Sequence, residues 1–579
     1  MRFSAGGGAS TRIDTVVTLD GAFNDGRVEG LTVPVAGQLD GGGGFAFNKG
    51  CVTASWRFFK AAGLRLGPAR IPLCPTGPGL VYRQGSGPVL GGAEVRGPRF
   101  AGQLGQTPIA MAAANAHFTL GSPEFSARDV AVRLGTAASL SELDLATLDG
   151  RFSLRGAGGT FTGARGDIGN VPLLLSGGKG DWQVVDGKVL VTGGLTIADA
   201  APLPRFYLLR ADAVRLTLID NQIVASAVLN DPETGTKVSD LSIAHNLRDG
   251  TGGAVVDVPA IRFDRSFQPE ELTRLTTGVV ALVDGVVTGR GNIRWNRDGV
   301  TSDGRFSTDD LDLAAAFGPV TGIKGTIEFN DLLGLQTAPG QSIDIAEINP
   351  GILVQDGKLS YQLLPGQRVR IEGARWPYAG GELLLEETIL ELGKPAPKKL
   401  TFRIVGMDAA LFVEQFEFEN IAATGTFDGV IPMIFDERGG RIVGGSLTSR
   451  EGGGTLAYVG VLSDKALGTY GKLAFDALKS LRYTSMSVYL DGELDGEFLS
   501  RFTINGRNQS EKATGILKQI TGLPFKFNIA IRGQFRALLA TARSFNDPRD
   551  LIKQSLPVPI EGLPGTDPTV QTPESEKRP

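Results

Sequence analysis

Histidine, cysteine and charge of either sign in excess are what this chain has least of. It holds two histidines and two cysteines in 579 residues, and its formal net charge is −4. Without a basic surplus there is no electrostatic footprint for nucleic acid, and that partner class drops out. With only His117 and His245, a general base or an imidazole metal site is hard to assemble, so both are read as ordinary sheet residues. No stretch reaches the roughly 18 apolar residues in a row that a spanning helix needs. The opening segment, MRFSAGGGASTRID, lacks the basic-then-apolar-then-small layout of a secretory signal. Two readings follow from that: a cytoplasmic chain, or one whose reading starts mid-gene with its export segment absent.

Catalytic constellations are missing as well. The metalloprotease HExxH, the nucleophile-elbow GxSxG and the Walker phosphate loop do not occur. Glu386 and Glu387 are the closest carboxylates in sequence, but neighbours on a strand point to opposite faces and cannot act as a dyad. The Gly-rich stretches GGGGFAF near 41 and REGGGTLAY near 451 open no capped helix after a strand, and read as bulged or mobile loops. The expectation is a protein that is not an enzyme and carries no cofactor and no metal.

The cysteines are Cys51 and Cys74, with 22 residues between them. They can close a disulfide, contributing roughly 3 kcal/mol in the chain-entropy model, or remain two unpaired buried thiols that act as small hydrophobes. Export would favour the bridge.

What the chain has in plenty is glycine, 81 residues, and two-residue periodicity. Phe525, Phe527, Ile529 and Ile531 alternate with Lys526, Asn528, Ala530 and Arg532. Leu400, Phe402 and Ile404 alternate with Thr401 and Arg403, and Met486, Val488 and Leu490 with Ser487, Tyr489 and Asp491. Val130, Val132 and Leu134 carry the pattern to the early part of the chain. Such runs are half-buried antiparallel strands. Asp-Gly recurs from Asp20-Gly21 to Asp495-Gly496, and is read as the tight hairpin turn between short strands. Helices are expected to be few and short: one capped by Asp408 over AALFVEQF, one opened by Pro269, a turn or two over Phe475 to Arg482, and a C-terminal helix over 534–555. Residues 556–579, Pro-rich and polar, are expected to form an extended or disordered tail.

The fold class is therefore mainly β: an elongated, curved antiparallel sheet with a few short helices. A sheet of that length with one apolar face must close, stack or curl. Periodicity by itself leaves open whether the inner face is a dry core or an open groove. Trp376, in the RWPYAGG stretch, is read as a packing anchor at a turn.

Several stretches carry a family resemblance: GIKGTIEFNDLLGLQTAPGQ (322–341), EGARWPYAGGELLLE (372–386), MDAALFVEQFEFENIAATGTFDGVIPMIFDERGG (407–440), GRIVGGSLTSREGGGTLAYVG (440–460) and GTYGKLAFDALKSLRY (468–483), with LCP at Leu73 to Pro75. On these the chain resembles the YdbH family of AsmA-like, TamB-related envelope proteins. The likeness is strongest over 278–533 and fainter over 1–277, and these two parts are taken as the later and earlier portions of one β groove. The resemblance implies a U-shaped β-taco in the periplasm, tied to the inner membrane by an N-terminal anchor absent from this sequence. It also implies phospholipid acyl chains as cargo between inner and outer membranes, and a small outer-membrane lipoprotein that joins by strand addition. The lining residues expected on that basis are Phe402, Ile404, Met486, Val488, Leu490, Phe525, Phe527, Ile529 and Ile531. The competing expectation is a structural envelope protein whose apolar face is packed core and whose edge binds partner strands.

Overall fold

Alternating side chains and short connections fold this chain, in a computed structural model, into one antiparallel sheet of 40 strand segments. The structure describes residues 2–534 with interruptions, the longest at 459–479 and 510–521. The expected helix at 534–555 and tail at 556–579 lie outside the described residues, apart from Gln534, which ends the strand Pro524–Gln534.

The topology is a meander throughout. Each crossing of the sheet pairs with the one before and the one after, as in Leu173–Val185, Lys188–Asp199 and Leu209–Ile219. Pairing also runs unbroken across residues 277–278, because Gly252–Phe263 pairs with Val280–Asn296. Parallel crossovers, which need a long return connection, are absent among the described strands. Arg2–Ala5 pairs only with Ser10–Phe23, and Pro524–Gln534 only with Glu497–Asn508, so the described sheet is open at both ends and is not a closed barrel.

The two rims of the sheet differ. On one, hairpins turn within a few residues, as at Asp220–Asn221 and Leu494–Gly496. On the other lie the longer excursions, including 200–208, the helical turn Pro269–Leu272 and the helix Ala409–Gln415. Asp408 caps that helix as expected, its Oδ1 accepting from the N–H groups of Ala410 (2.7 Å) and Leu411 (3.1 Å). Pro269 stands at the first position of its helix, where a missing N–H costs nothing. The expectation of a helical turn over Phe475 to Arg482 fails where the chain is described. Leu481 and Arg482 begin the strand Leu481–Glu493, because Leu481 and Tyr483 point inward on either side of an outward Arg482 and bury almost completely. Residues 475–479 lie outside the described residues.

Asp-Gly turns out to have two roles, not one. Asp249-Gly250 and Asp495-Gly496 do sit in connections. Asp149-Gly150, Asp303-Gly304, Asp428-Gly429 and Asp491-Gly492 lie inside strands, so the reading of every Asp-Gly as a hairpin turn is corrected. Three of the Asp-Gly aspartates, Asp20, Asp428 and Asp491, face a β-bulge on the neighbouring strand, as does Asp312, which precedes a leucine. Asp20, Asp312, Asp428 and Asp491 each accept the backbone N–H of a glycine at φ between 63° and 70°: Gly30 (2.6 Å), Gly322 (2.8 Å), Gly406 (2.7 Å) and Gly444 (3.0 Å). A bulge leaves one N–H outside the ladder, and the opposing carboxylate takes it up. Further bulges lie at Gly163 and at Gly177–Gly178 on adjacent strands, and at Ala213–Val214 two strands further on. A band of bulges across a sheet bends it along that line, and this curl turns the apolar face inward.

Candidate functional site

The candidate site is the inner face. Backbone register aligns its side chains into rows that cross strand after strand. One row runs Trp376, Leu383, Ile404, Gly429, Leu447, Val488, Phe502, Ile529. Its only gap, Gly429, is filled by Leu447, whose Cδ2 would lie 2.4 Å from a Cβ added there. A parallel row joins Met486, Ile504 and Phe527. The outer face carries cross-strand ion pairs instead, among them Arg133–Asp144 (2.7 Å), Arg294–Asp303 (2.5 Å) and Arg375–Glu382 (2.8 Å). Exposed pairs of this kind add little stability each, but they fix which face is wet.

Phe402, Ile404, Met486 and Val488 are buried in one large cluster, and Leu490, Phe527 and Ile529 pack against it half-buried. Phe525 stacks on Phe527 with ring centroids 5.8 Å apart. Ile531 sits on the same strand at 42% exposure, on the open end of the sheet. Alternation did not reveal the inward residues beyond a bulge. Met407 joins Leu400, Phe402 and Ile404 only because the Val405–Gly406 bulge shifts the parity, and Tyr483 joins Met486 only because Thr484 is an extra residue. Trp376 is buried at the head of its row, within the strand Arg368–Tyr378 and not at a turn, which corrects its placement.

The interior changes along its length. In the C-terminal stretch it is filled by large side chains such as Trp376, Tyr378, Phe402, Phe427 and Tyr483. In the early stretch one buried cluster is Val95, Ala116, Ala127, Val130, Leu145 and Ala164, half of it alanine, with Phe118 and Phe161 partly buried against it. Between them a third cluster, built on Ile261, Phe263, Phe267 and Trp295, shares the partly buried Leu311 and Leu313 with the large one.

At one place the two rims touch. The Thr107 Oγ1 donates to the carbonyl of Leu247 at 3.2 Å, 140 residues further along the chain, and Thr107 is buried. Gly105 lies against Asn221 there, since a Cβ on Gly105 would stand 2.4 Å from the Asn221 Oδ1. The longer-loop rim of early crossings thus meets the tight-turn rim of later ones. Strands tilted and staggered in this way wind the sheet, as they do in a barrel.

Few titratable groups are sequestered. Burial lowers the pKa of His245, opposed by Asp249 and Thr251, and its Nδ1 accepts from the Trp295 Nε1 at 3.0 Å. His117 lies exposed on the other face. Burial works against the charge of Asp199, but hydrogen bonds from Arg205 at 2.8 Å to each carboxylate oxygen outweigh it and lower the pKa. Glu386 pairs with Arg403 and Glu387 with Arg370, so the adjacent carboxylates serve separate partners. Cys51, just before the strand Val52–Trp56, and Cys74, on the neighbouring strand Ala69–Pro75, are joined by a disulfide, Cα–Cα 4.0 Å. Among the described residues no group of three or more His, Cys, Asp or Glu is placed to hold a metal, and no helix is long and apolar enough to cross a membrane.

An open, curled antiparallel sheet with one continuous apolar face and one ion-paired face defines a class of extended β proteins, set apart from compact sandwiches and closed barrels. Within it the assignment is specific. The model of the YdbH-like family, described as intermembrane phospholipid transport protein YdbH, matches residues 5–557, and the chain belongs to that family. The match takes in the early part of the sheet, where the stretches quoted above carried only a faint likeness. No curated protein matches the chain.

Proposed function

We propose that the inner face is a non-enzymatic conduit that carries phospholipid acyl chains between the inner and outer membranes. The observation that carries this reading is the row from Trp376 to Ile529, apolar in effect over eight consecutive strands while the opposite face is ionic. Burying each CH₂ contributes about 0.8 kcal/mol, and a uniform lining lets a chain slide without a deep trap. Phe402, Ile404, Met486, Val488, Leu490, Phe525, Phe527, Ile529 and Ile531 are the proposed contacts. Small residues in the early interior suit a lodged chain, whereas the large ones further on must give way to it.

The reading extends to partners. The strand Pro524–Gln534 has a neighbour on one side only among the described residues, which suits strand addition by a small outer-membrane lipoprotein. Attachment to the inner membrane rests on the family alone. The dense packing of the C-terminal interior favours a second reading, a structural envelope protein with a dry core and an adhesive edge.

Lipid extraction from the purified protein separates the two. Co-purifying phospholipid supports the conduit, and a lipid-free protein with a dry interior would sink it. Phe527→Asp, on the outermost described strand, is expected to block transfer between vesicles while the fold persists. Unchanged transfer would remove that face from the pathway.

A further inference from the structure

Four tryptophans occur in the chain, and three have their indole N–H satisfied. Trp56 donates to the carbonyl of Gly67 (3.1 Å), Trp182 to that of Asp149 (3.1 Å) and Trp295 to His245 (3.0 Å). The buried phenol of Tyr483 likewise donates to the carbonyl of Thr424 (2.5 Å). Trp376 and Tyr378 break the rule together. At 2% and 4% exposure, neither the indole Nε1 nor the phenol oxygen has a hydrogen-bond partner among the described residues. They stand two apart on one strand and so share the inner face.

Their surroundings are built and not incidental. Gly357 lies beneath the indole, and a Cβ there would fall 1.9 Å from Nε1. Phe402 flanks Trp376 with centroids 6.5 Å apart, and Phe412, on the helix Ala409–Gln415, meets the Tyr378 ring edge-on at 6.3 Å. That helix roofs the spot, reaching back along its rim through the Gln415 Nε2 to the carbonyl of Leu353 (3.4 Å). Two stranded donors cost about 1–3 kcal/mol each unless something accepts from them. The acceptor must be neutral, because the buried residues include no lysine or arginine to offset a phosphate charge.

We infer that Trp376 and Tyr378 form a binding site for the ester carbonyls of a diacyl glycerolipid, held beneath the helix Ala409–Gln415. The inference rests on the conduit reading and adds to it a place where the lipid's glycerol end pauses. Acyl chains lying along the apolar rows bring their ester groups to the two donors, and the ester carbonyls accept from them where the hydrocarbon tails have no acceptor to offer.

Full-length protein incubated with vesicles of diester phosphatidylcholine, or of its dialkyl ether analogue lacking both carbonyls, tests this by mass spectrometry of the lipid retained. A roughly 5-fold preference for the ester lipid is expected, the equivalent of about one net hydrogen bond. Tyr378→Phe, which deletes only the hydroxyl, should reduce the preference while the urea midpoint holds or rises, and Trp376→Phe should reduce it too, although the ring volume it also removes from the core lowers its midpoint. Equal retention of the two lipids by the unaltered protein, as when water occupies the donors, overturns the inference and leaves the conduit standing. A preference that survives in both variants overturns it too. Uptake of neither lipid fails the conduit reading itself.

Discussion

Replacing Gly444 and, separately, Gly322 by alanine measures what the bulges cost and how tightly the strands close on them. Both glycines hold left-handed backbone, φ 70° and 63°, and both donate their N–H to an aspartate across the ladder. An alanine in that conformation costs about 1–2 kcal/mol, the same at either site. Their surroundings differ. A Cβ on Gly444 meets nothing within 4 Å, whereas one on Gly322 would stand 2.5 Å from the Cβ of Ala346. Two methyl carbons prefer to stay about 3.5–4 Å apart, so the strand bearing Ala346 has to shift by more than an ångström, adding about 1–3 kcal/mol of overpacking. Urea midpoints at constant m-value read the two penalties, and Gly444→Asn serves as a control because asparagine tolerates this backbone. Gly444→Ala is expected to lower the midpoint modestly, Gly444→Asn to restore most of it, and Gly322→Ala to lower it by clearly more. If Gly322→Ala proves as mild as Gly444→Ala, the close approach across the sheet is wrong.

The remaining expectations concern the bridge, the buried histidine and the seam. Removing the disulfide with Cys51→Ser and Cys74→Ser should cost about 3 kcal/mol for a 23-residue separation, and reductant should then have no further effect on the urea midpoint. His245 is held neutral by burial, so the unfolded chain takes up its proton first as pH falls through about 6.5. Stability therefore drops below that pH until the folded-state pKa is reached, and His245→Gln should flatten the difference between midpoints at pH 7.5 and pH 5.5. A Gly105→Cys, Asn221→Cys pair should crosslink under mild oxidation without denaturant. Failure to crosslink, with the native bridge intact, would show that the rims do not meet there.

The strand pattern was plain in the sequence because a half-buried strand has to alternate, and Phe402, Ile404, Met486 and Val488 alternate without interruption. The helix capped by Asp408 was equally plain, since a carboxylate before an apolar run has one obvious use. What stayed hidden was set by bulges. A single extra residue, such as Thr484, reverses which side chains point inward, and nothing local marks it. Asp-Gly misled for a related reason: one dipeptide serves both a hairpin turn and the carboxylate opposite a bulge. The roles of Trp376 and Tyr378 depend on Gly357 and on the helix that covers them, and those neighbours come together only in the folded sheet.

The contact of Thr107 with Leu247 bears on how fast anything could move along the interior. A lipid whose head group travels outside the sheet, with its tails inside, would straddle the line where the rims meet. It cannot pass a joined rim without parting it, and the hydrogen bond that parts there, from the Thr107 hydroxyl to the Leu247 carbonyl, contributes about 1 kcal/mol. Such a fastening would yield to thermal motion within its own stretch. On the conduit reading proposed above, it would act as a turnstile, letting passengers through one at a time and setting a pace that apolar lining alone would leave unregulated.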